Sequence, residues 1–279
     1  MGIILGIDIG GSTTKIVGFH NNDMFNPMLV KAGDPLSSVY GAFGKFLNVN
    51  KLSLPDIDRI MVTGVGSTYL KEKIYDIPTG KVDEFNCIGK GGLYLSKLDK
   101  AIIVSMGTGT TFVMADKAQV VHVGGSGVGG GTLLGLSSSM LNVRDFNDLV
   151  KTAETGSLSN IDLNIRDITD EINENLPEYV TVSNFGKMRD LASKPDMALG
   201  IINLVFQTIG VMAVFSTRMY SISNVVLTGN LANVPQAKDI FQKVTDLFHV
   251  NFLTPQHAEF STAIGAAIMH THKNDIIEI

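Results

Sequence analysis

The chain has 279 residues, of which 44% are hydrophobic and 18% charged, with a formal net charge of −5. These values exclude a disordered chain and give one large or two medium globular domains, while an acidic balance without a long basic run argues against nucleic acid as the main partner. A single cysteine, Cys87, excludes an internal disulfide framework and any Cys-rich zinc or iron–sulfur site within one chain, and it points to a cytoplasmic setting.

The first predicted strand, Ile3 to Ile9, carries one acid at Asp8 and no basic leader, apolar signal core or cleavage site before it, so no export signal is expected. It breaks at Gly10-Gly11-Ser12-Thr13 and resumes as Lys15 to Phe19, which reads as strand, tight turn, strand. Such a turn is either an ordinary hairpin or a phosphate-binding loop. Paired glycines let backbone amides approach an anion, hydroxyls add donors, Lys15 adds a compact cation, and Asp8 is placed to hold magnesium. A third strand at Met28 to Lys31, a helix from Asp34-Pro35 to Leu47 and a strand over 58–63 ending at Gly64 give half of a mixed-sheet α/β domain. The next helix starts near Val82-Asp83-Glu84 and contains Gly89, Gly91 and Gly92. Those glycines cost helix stability and imply close packing or a ligand beside it. For Glu84, spacing alone favours a carboxylate that merely suits the positive end of a helix.

The opening pattern then recurs. Ala101 to Met106 runs into Gly107-Thr108-Gly109-Thr110-Thr111 and returns through Phe112 to Ala115. A duplicated fold would set two such turns face to face, where they could grip a triphosphate from both sides. A strand at Gln119 to Val123 precedes a run in which six of the eight residues from 124 to 131 are glycine. The run is too short and too enclosed by apolar elements for a flexible tether, so it reads as a backbone surface for a ligand with a helix N-terminus behind it.

After a helix over 145–155, the segment 157–179 is polar, with acids at Asp162, Asp167, Asp170, Glu171, Glu174 and Glu178; it reads as a solvated lobe or flap, not a calcium loop. The uncharged stretch 197–217 has the length of a bilayer span. Its recurrent Asn203, Gln207 and Thr208, and the flanking Asp196 and Arg218, read instead as a buried central helix that is compatible with a subunit interface. A strand over 224–228 ends at Gly229-Asn230, where an open α/β sheet would take a nucleotide base. A helix near 234–248, a short strand at 250–253 and a helix from Glu259 to His270 complete the chain.

Four motifs, Asp8-x-Gly-Gly-Ser-x-x-Lys15, Ser105-Met-Gly-Thr-Gly-Thr110, the Gly124 to Thr132 run and Thr228-Gly229-Asn230, occur in an order that resembles the actin, Hsp70 and sugar-kinase superfamily. With Val82-Asp83-Glu84-Phe85, Asn184-Phe185-Gly186 and Phe260-Ser261-x-Ala263-Ile264-Gly265-Ala266, the chain from 3 to 268 resembles a type II pantothenate kinase. The resemblance implies a duplicated actin-like α/β fold, with lobes over 1–98 and 99–279 and an interlobe nucleotide cleft. It also implies ATP-dependent phosphorylation of the primary hydroxyl of pantothenate, the first step toward coenzyme A, with no membrane involved and a homodimer as the usual assembly. Glu84 matches the family's catalytic base and would also meet the acceptor. Asp8, Gly10, Gly11, Ser12, Thr13 and Lys15 would handle Mg2+ and phosphates, with Gly107, Thr108 and Gly109 opposite. Gly127, Gly129, Gly130, Gly131, Gly229 and Asn230 would border the adenosine. Ser105, His122 and Gly124 would contact the acceptor.

One departure stands out: His122 occupies a position where the family commonly has an arginine facing pantothenate. Histidine cannot form the bidentate fork of arginine, so an altered acceptor such as pantetheine is an alternative. The repressor-related sugar kinases usually carry a cysteine-rich zinc motif and the activators of 2-hydroxyacyl-CoA dehydratases carry cluster-ligating cysteines, which one cysteine does not supply. A non-catalytic nucleotide-binding regulator would have no use for Glu84.

Overall fold

The computed structural model describes residues 2–21, 23–31, 33–171, 177–188 and 192–279; Asn22 of the first expected turn and Glu174 of the acidic segment lie outside them. The N-terminal meander is β1 (Ile3–Ile9), β2 (Thr13–His20) and β3 (Asp23–Lys31), each antiparallel to the last. Helix α1 (Pro35–Asn50) follows, started by Asp34, whose carboxylate accepts from the Ser37 amide at 2.7 Å. Val39, Ala42, Phe43 and Phe46 form its apolar stripe and are buried against the meander, the 3–4 spacing expected of a core-facing helix. Strands β4 (Ile57–Thr63) and β5 (Thr79–Val82) then add parallel to β1.

Helix α2 (Glu84–Ser96) crosses to the second sheet, which repeats this topology. Strands β6 (Lys100–Met106), β7 (Thr110–Asp116) and β8 (Val120–Ser126) form the second antiparallel meander. Helices α3 (Gly130–Leu141) and α4 (Phe146–Thr152) precede a two-stranded ribbon of β9 (Leu163–Asn164) and β10 (Thr181–Ser183). After α5 (Lys194–Tyr220), strand β11 (Asn224–Thr228) pairs parallel with β6; α6 (Pro235–Phe248) leads to β12 (Asn251–Leu253), parallel to β11. The sheet orders are therefore β3-β2-β1-β4-β5 and β8-β7-β6-β11-β12, the same order twice.

Helix α7 (Ser261–Ile268) returns to the first sheet, where Ala263, Ile264 and Ala267 pack with Val17 and Phe19, and β13 (Ile276–Glu278) closes that sheet beside β5, helped by an Arg59–Glu278 ion pair. Meanwhile Ile88 of α2 packs with Ala101, Ile103, Val113 and Val226 of the second sheet. The two helices thus serve opposite sheets and cross each other between them. A Cβ on Gly91 would overlap the Ser261 carbonyl, and one on Gly265 the Cys87 carbonyl. Gly91 and Gly265 are explained by this close crossing, whereas Gly89 and Gly92 let α2 lie close to Val120 and Ala115 and to Ile103 of the second sheet.

Helix α5 is long and apolar enough to span a membrane by composition, yet 61% of its most apolar window is buried in the protein. Ile201, Val205, Phe206 and Ile209 sit in the largest core, with strands of the second sheet and α6 around them. The central-helix reading describes its place. Segment 157–179 departs from a wholly solvated flap: Asp162 is fully buried, and Leu163–Asn164 pair with 181–183.

Candidate active site

The ends of the two meanders face each other across a cleft of about 380 Å³. On one side, the β1–β2 turn is closed by the Gly10 amide donating to the Thr13 carbonyl at 3.0 Å. The antiparallel register sets Asp8 opposite Lys15, so their side chains share a face, and Lys15 Nζ stands 3.7 Å from Asp8 Oδ2 with both groups nearly buried. Burial pushes the Asp8 carboxyl above the usual carboxylate range, and the Lys15 ammonium opposes that rise. Asp8, Gly10, Gly11, Ser12, Thr13 and Lys15 all line the cleft.

On the other side, the β6–β7 turn is closed by the Gly107 amide donating to the Gly109 carbonyl at 2.8 Å. Ser105, Gly107, Thr108 and Gly109 face the cleft, as do Gly229 and Asn230 at the carboxyl end of β11. Gly229 has φ +87°, a left-handed conformation that favours glycine, and a Cβ there would strike the Met106 carbonyl.

Glu84 occupies the first turn of α2, which Asp83 caps by accepting from the Asn86 amide at 3.0 Å. It is half-buried and lines the cleft. A carboxylate that only complemented a helix N-terminus would be pulled below its ordinary pKa. Here burial, with the negative charges of Asp8 and Asp83, pushes the Glu84 carboxyl up to about 7 against the pull of Lys15. The simple dipole explanation therefore does not describe this group.

The glycine run divides in two. Gly125 and Ser126 line the cleft, whereas Gly127, Gly129, Gly130 and Gly131 do not. The Gly130 and Gly131 amides donate to the Gly107 and Thr108 carbonyls, both at 2.9 Å, so the start of α3 buttresses the second turn with two of its free donors. Gly124 sits on β8 opposite Phe112, also off the cleft wall. His122 is exposed and lies outside the cleft lining, but its ring stacks on Phe85 at 3.9 Å and 11°, beside Glu84.

Seven cleft residues carried no role in the sequence reading; Thr110, Thr111, Gly125 and Ser126 belong to its glycine motifs, and three lie outside the specified motif positions. Val65 follows the carboxyl end of β4, Ile88 lies one helical turn after Glu84, and Thr262 occupies the unspecified position of the Phe260-Ser261-x-Ala263 motif. The strand-end rule for α/β sheets and the i to i+4 helical spacing point to the first two. Two donor-rich turns, one compact cation and a carboxyl that exchanges its proton near neutrality are together suited to moving a phosphoryl group onto a hydroxyl.

Comparison with known proteins bears on the family and the fold. A family model described as Fumble matches residues 42–269. The chain is 27% identical over 288 residues to the type II pantothenate kinase of Bacillus cereus (strain G9842), covering 96% of this chain and 98% of that one. Among solved structures, the activator of the 2-hydroxyisocaproyl-CoA dehydratase from Clostridium difficile, with bound ADPNP, aligns at TM-score 0.69 and 16% identity over 97% of this chain and 95% of that chain. The ROK hexokinase from Thermus thermophilus aligns at TM-score 0.60 and 12% identity over 98% and 99%. These structural likenesses establish the duplicated actin-like α/β fold.

Proposed function

The chain belongs to the Fumble family, and from that premise we propose that it is an ATP-dependent kinase that phosphorylates the primary hydroxyl of pantothenate in coenzyme A synthesis. The observation that carries this reading is Glu84, a carboxyl held near pKa 7 on the same cleft as both glycine turns. An attacking alcohol must lose its proton as the phosphoryl group arrives, and a positioned base with a pKa near the working pH is the efficient acceptor, worth on the order of 10²–10⁴-fold.

In this reading the amides of Gly11, Ser12, Thr108 and Gly109 and the hydroxyls of Ser12, Thr13 and Thr108 receive the phosphate oxygens, Gly10 and Gly107 hold the two turns in shape through their own closing bonds, and Lys15 neutralises charge along the transfer path. Gly229 and Asn230 border the adenosine. Gly127, Gly129, Gly130 and Gly131 contribute by shaping and bracing that side of the nucleotide site. Among the described residues no group of three or more Asp, Glu, His or Cys side chains gathers, which suits Mg2+, since that ion commonly takes one or two carboxylates plus phosphates and waters. Asp8 supplies the carboxylate. The ion, when bound, shields the phosphate charge.

In this reading Ser105, which lines the cleft with Glu84, meets the acceptor, while Gly124 and His122, off the cleft wall, meet only a part of it that extends beyond the cleft. The Phe85–His122 stack favours a second reading in which a neutral relative of pantothenate, such as pantetheine, is also accepted, because a stacked imidazole offers a carboxylate no bidentate partner. Cys87 is buried in α2 and burial pushes its thiol up, which disfavours a role as an intersubunit cluster ligand. A cytoplasmic homodimer completes the proposal, supported by the exposed Phe215 and Met219 on α5. The test is ADP release with and without pantothenate. Release that depends on pantothenate supports the kinase; acceptor-independent hydrolysis with no phosphorylated product overturns it in favour of an ATPase switch.

A further inference from the structure

A second cavity, of about 410 Å³, opens between α5, α6 and the segments 156–166 and 179–181, and it shares no lining residue with the cleft. That volume suits a small organic ligand. Its apolar wall includes Leu199, Val211, Ile240 and Leu247, while Arg166 and Lys243 supply positive charge. No carboxylate is among the described lining residues, and neither cation forms an ion pair among the described residues.

The polar floor is held in a fixed orientation. Asn203, 4% exposed, donates through Nδ2 to Asp162 Oδ2 at 2.7 Å. Gln207 Oε1 accepts from Asn184 Nδ2 at 2.9 Å, so its Nε2 is the end left to donate elsewhere. Asp162 lies behind this floor and also accepts from the Phe185 amide at 2.9 Å. Burial raises the Asp162 carboxyl, and its hydrogen bonds from the Phe185 amide, Asn203 and Asn184 oppose the rise, with a smaller contribution from the Lys243 charge. Two cations with no ion-pair partner among the described residues, one of them over the Tyr179 ring at 6.0 Å, and the Gln207 amide donor around an apolar recess would repel a cationic ligand and leave a neutral one without a charge partner. An anion with an apolar body satisfies both surfaces.

We propose that this cavity is a binding site for a small organic anion, headed by a carboxylate or a phosphate, with the head at Arg166, Lys243 and Gln207 and the body on the α5–α6 wall. The test is calorimetric titration of the full chain with octanoate, phenyl phosphate and octan-1-ol. The same titrations are run on the Arg166→Glu/Lys243→Glu double variant, whose changed side chains are exposed, and on Val211→Phe, which fills the recess. The proposal expects saturable binding of at least one anion at millimolar concentration or below, at least about tenfold weaker binding of octan-1-ol, and at least about tenfold loss in both variants, corresponding to about 1.4 kcal/mol. Octanoate alone would assign a carboxylate head, and phenyl phosphate alone a phosphate head. Absence of saturable binding by either anion overturns the proposal, as does equal binding by wild type and the double variant.

Discussion

Replacing Glu84 with glutamine removes a charge that folding holds at a cost, and the size of that cost follows from its surroundings. Burial together with Asp8 and Asp83 lifts the carboxyl from 4.5 to about 7, equivalent to about 3 kcal/mol as an upper bound at ~1.36 kcal/mol per unit. Water at the cleft mouth screens a half-buried group, which lowers the expected value to about 1–2 kcal/mol. Below pH 4.5 the side chain is neutral in both folded and unfolded chains. As pH rises through 4.5 and past 7, the folded chain must release a proton that it binds more tightly than the unfolded chain does, and stability falls. Glutamine escapes this loss, so Glu84→Gln should melt about 3–6 °C above wild type at pH 8 and at the wild-type temperature near pH ~4.5. Thermal unfolding followed by circular dichroism without nucleotide measures it. A gain of equal size at both pH values, or no gain at pH 8, refutes the electrostatic account of the site. The same variant should lose about 10²–10⁴-fold in kcat.

Wild-type kcat/KM for pantothenate should rise with pH through a pKa of about 7, since the base must be ionised in the free enzyme; a profile flat from pH ~6 to ~8 would remove Glu84 from that role. Lys15→Met leaves Asp8 without its partner and should reduce kcat/KM for ATP by about 10²-fold, about 2.7 kcal/mol of lost transition-state stabilisation; steady-state kinetics at varied ATP reads this directly. Gly265→Ala should destabilise the chain by about 1–3 kcal/mol or more because its Cβ would overlap the Cys87 carbonyl at the α2–α7 crossing; urea unfolding measures the change, and an unchanged midpoint would mean that the crossing is loosely packed. Asp162→Ala orphans the Asn203 amide and the Phe185 amide and should cost about 3 kcal/mol, with Asp162→Asn costing visibly less by the same assay.

Much of this architecture was legible because its signals are local. Asp8 to Lys15 and Ser105 to Thr111 are adjacent in sequence and remain adjacent in the folded chain, so a strand, a glycine-hydroxyl turn and a second strand could be read twice. The uncharged stretch 197–217 carried its own contradiction of a bilayer span in Asn203 and Gln207; Asn203 donates to Asp162 and Gln207 accepts from Asn184. What escaped depends on chain segments far apart. Asp162 looked solvated among neighbouring acids because its partners lie at 184, 185 and 203. The amides opening α3 looked free for a ligand because local pattern does not reveal that the Gly107 and Thr108 carbonyls take two of them. Glu84 shows the same limit: its helix position suggested a carboxylate that merely suits a helix N-terminus, and only burial in the cleft, with the approach of Asp8 and Asp83, raises its pKa.

The central claim is that the cleft transfers phosphate from ATP to pantothenate with Glu84 as the base. Its most direct test is mass identification of the product formed from ATP and a mixed pool of pantothenate, pantetheine and simple sugars, with Glu84→Gln run beside the wild type. The account predicts phosphopantothenate as the main product, any phosphopantetheine as the lesser one, and almost none of either from the variant. A phosphorylated sugar alone, ADP without any phosphorylated alcohol, or full activity in Glu84→Gln would contradict it.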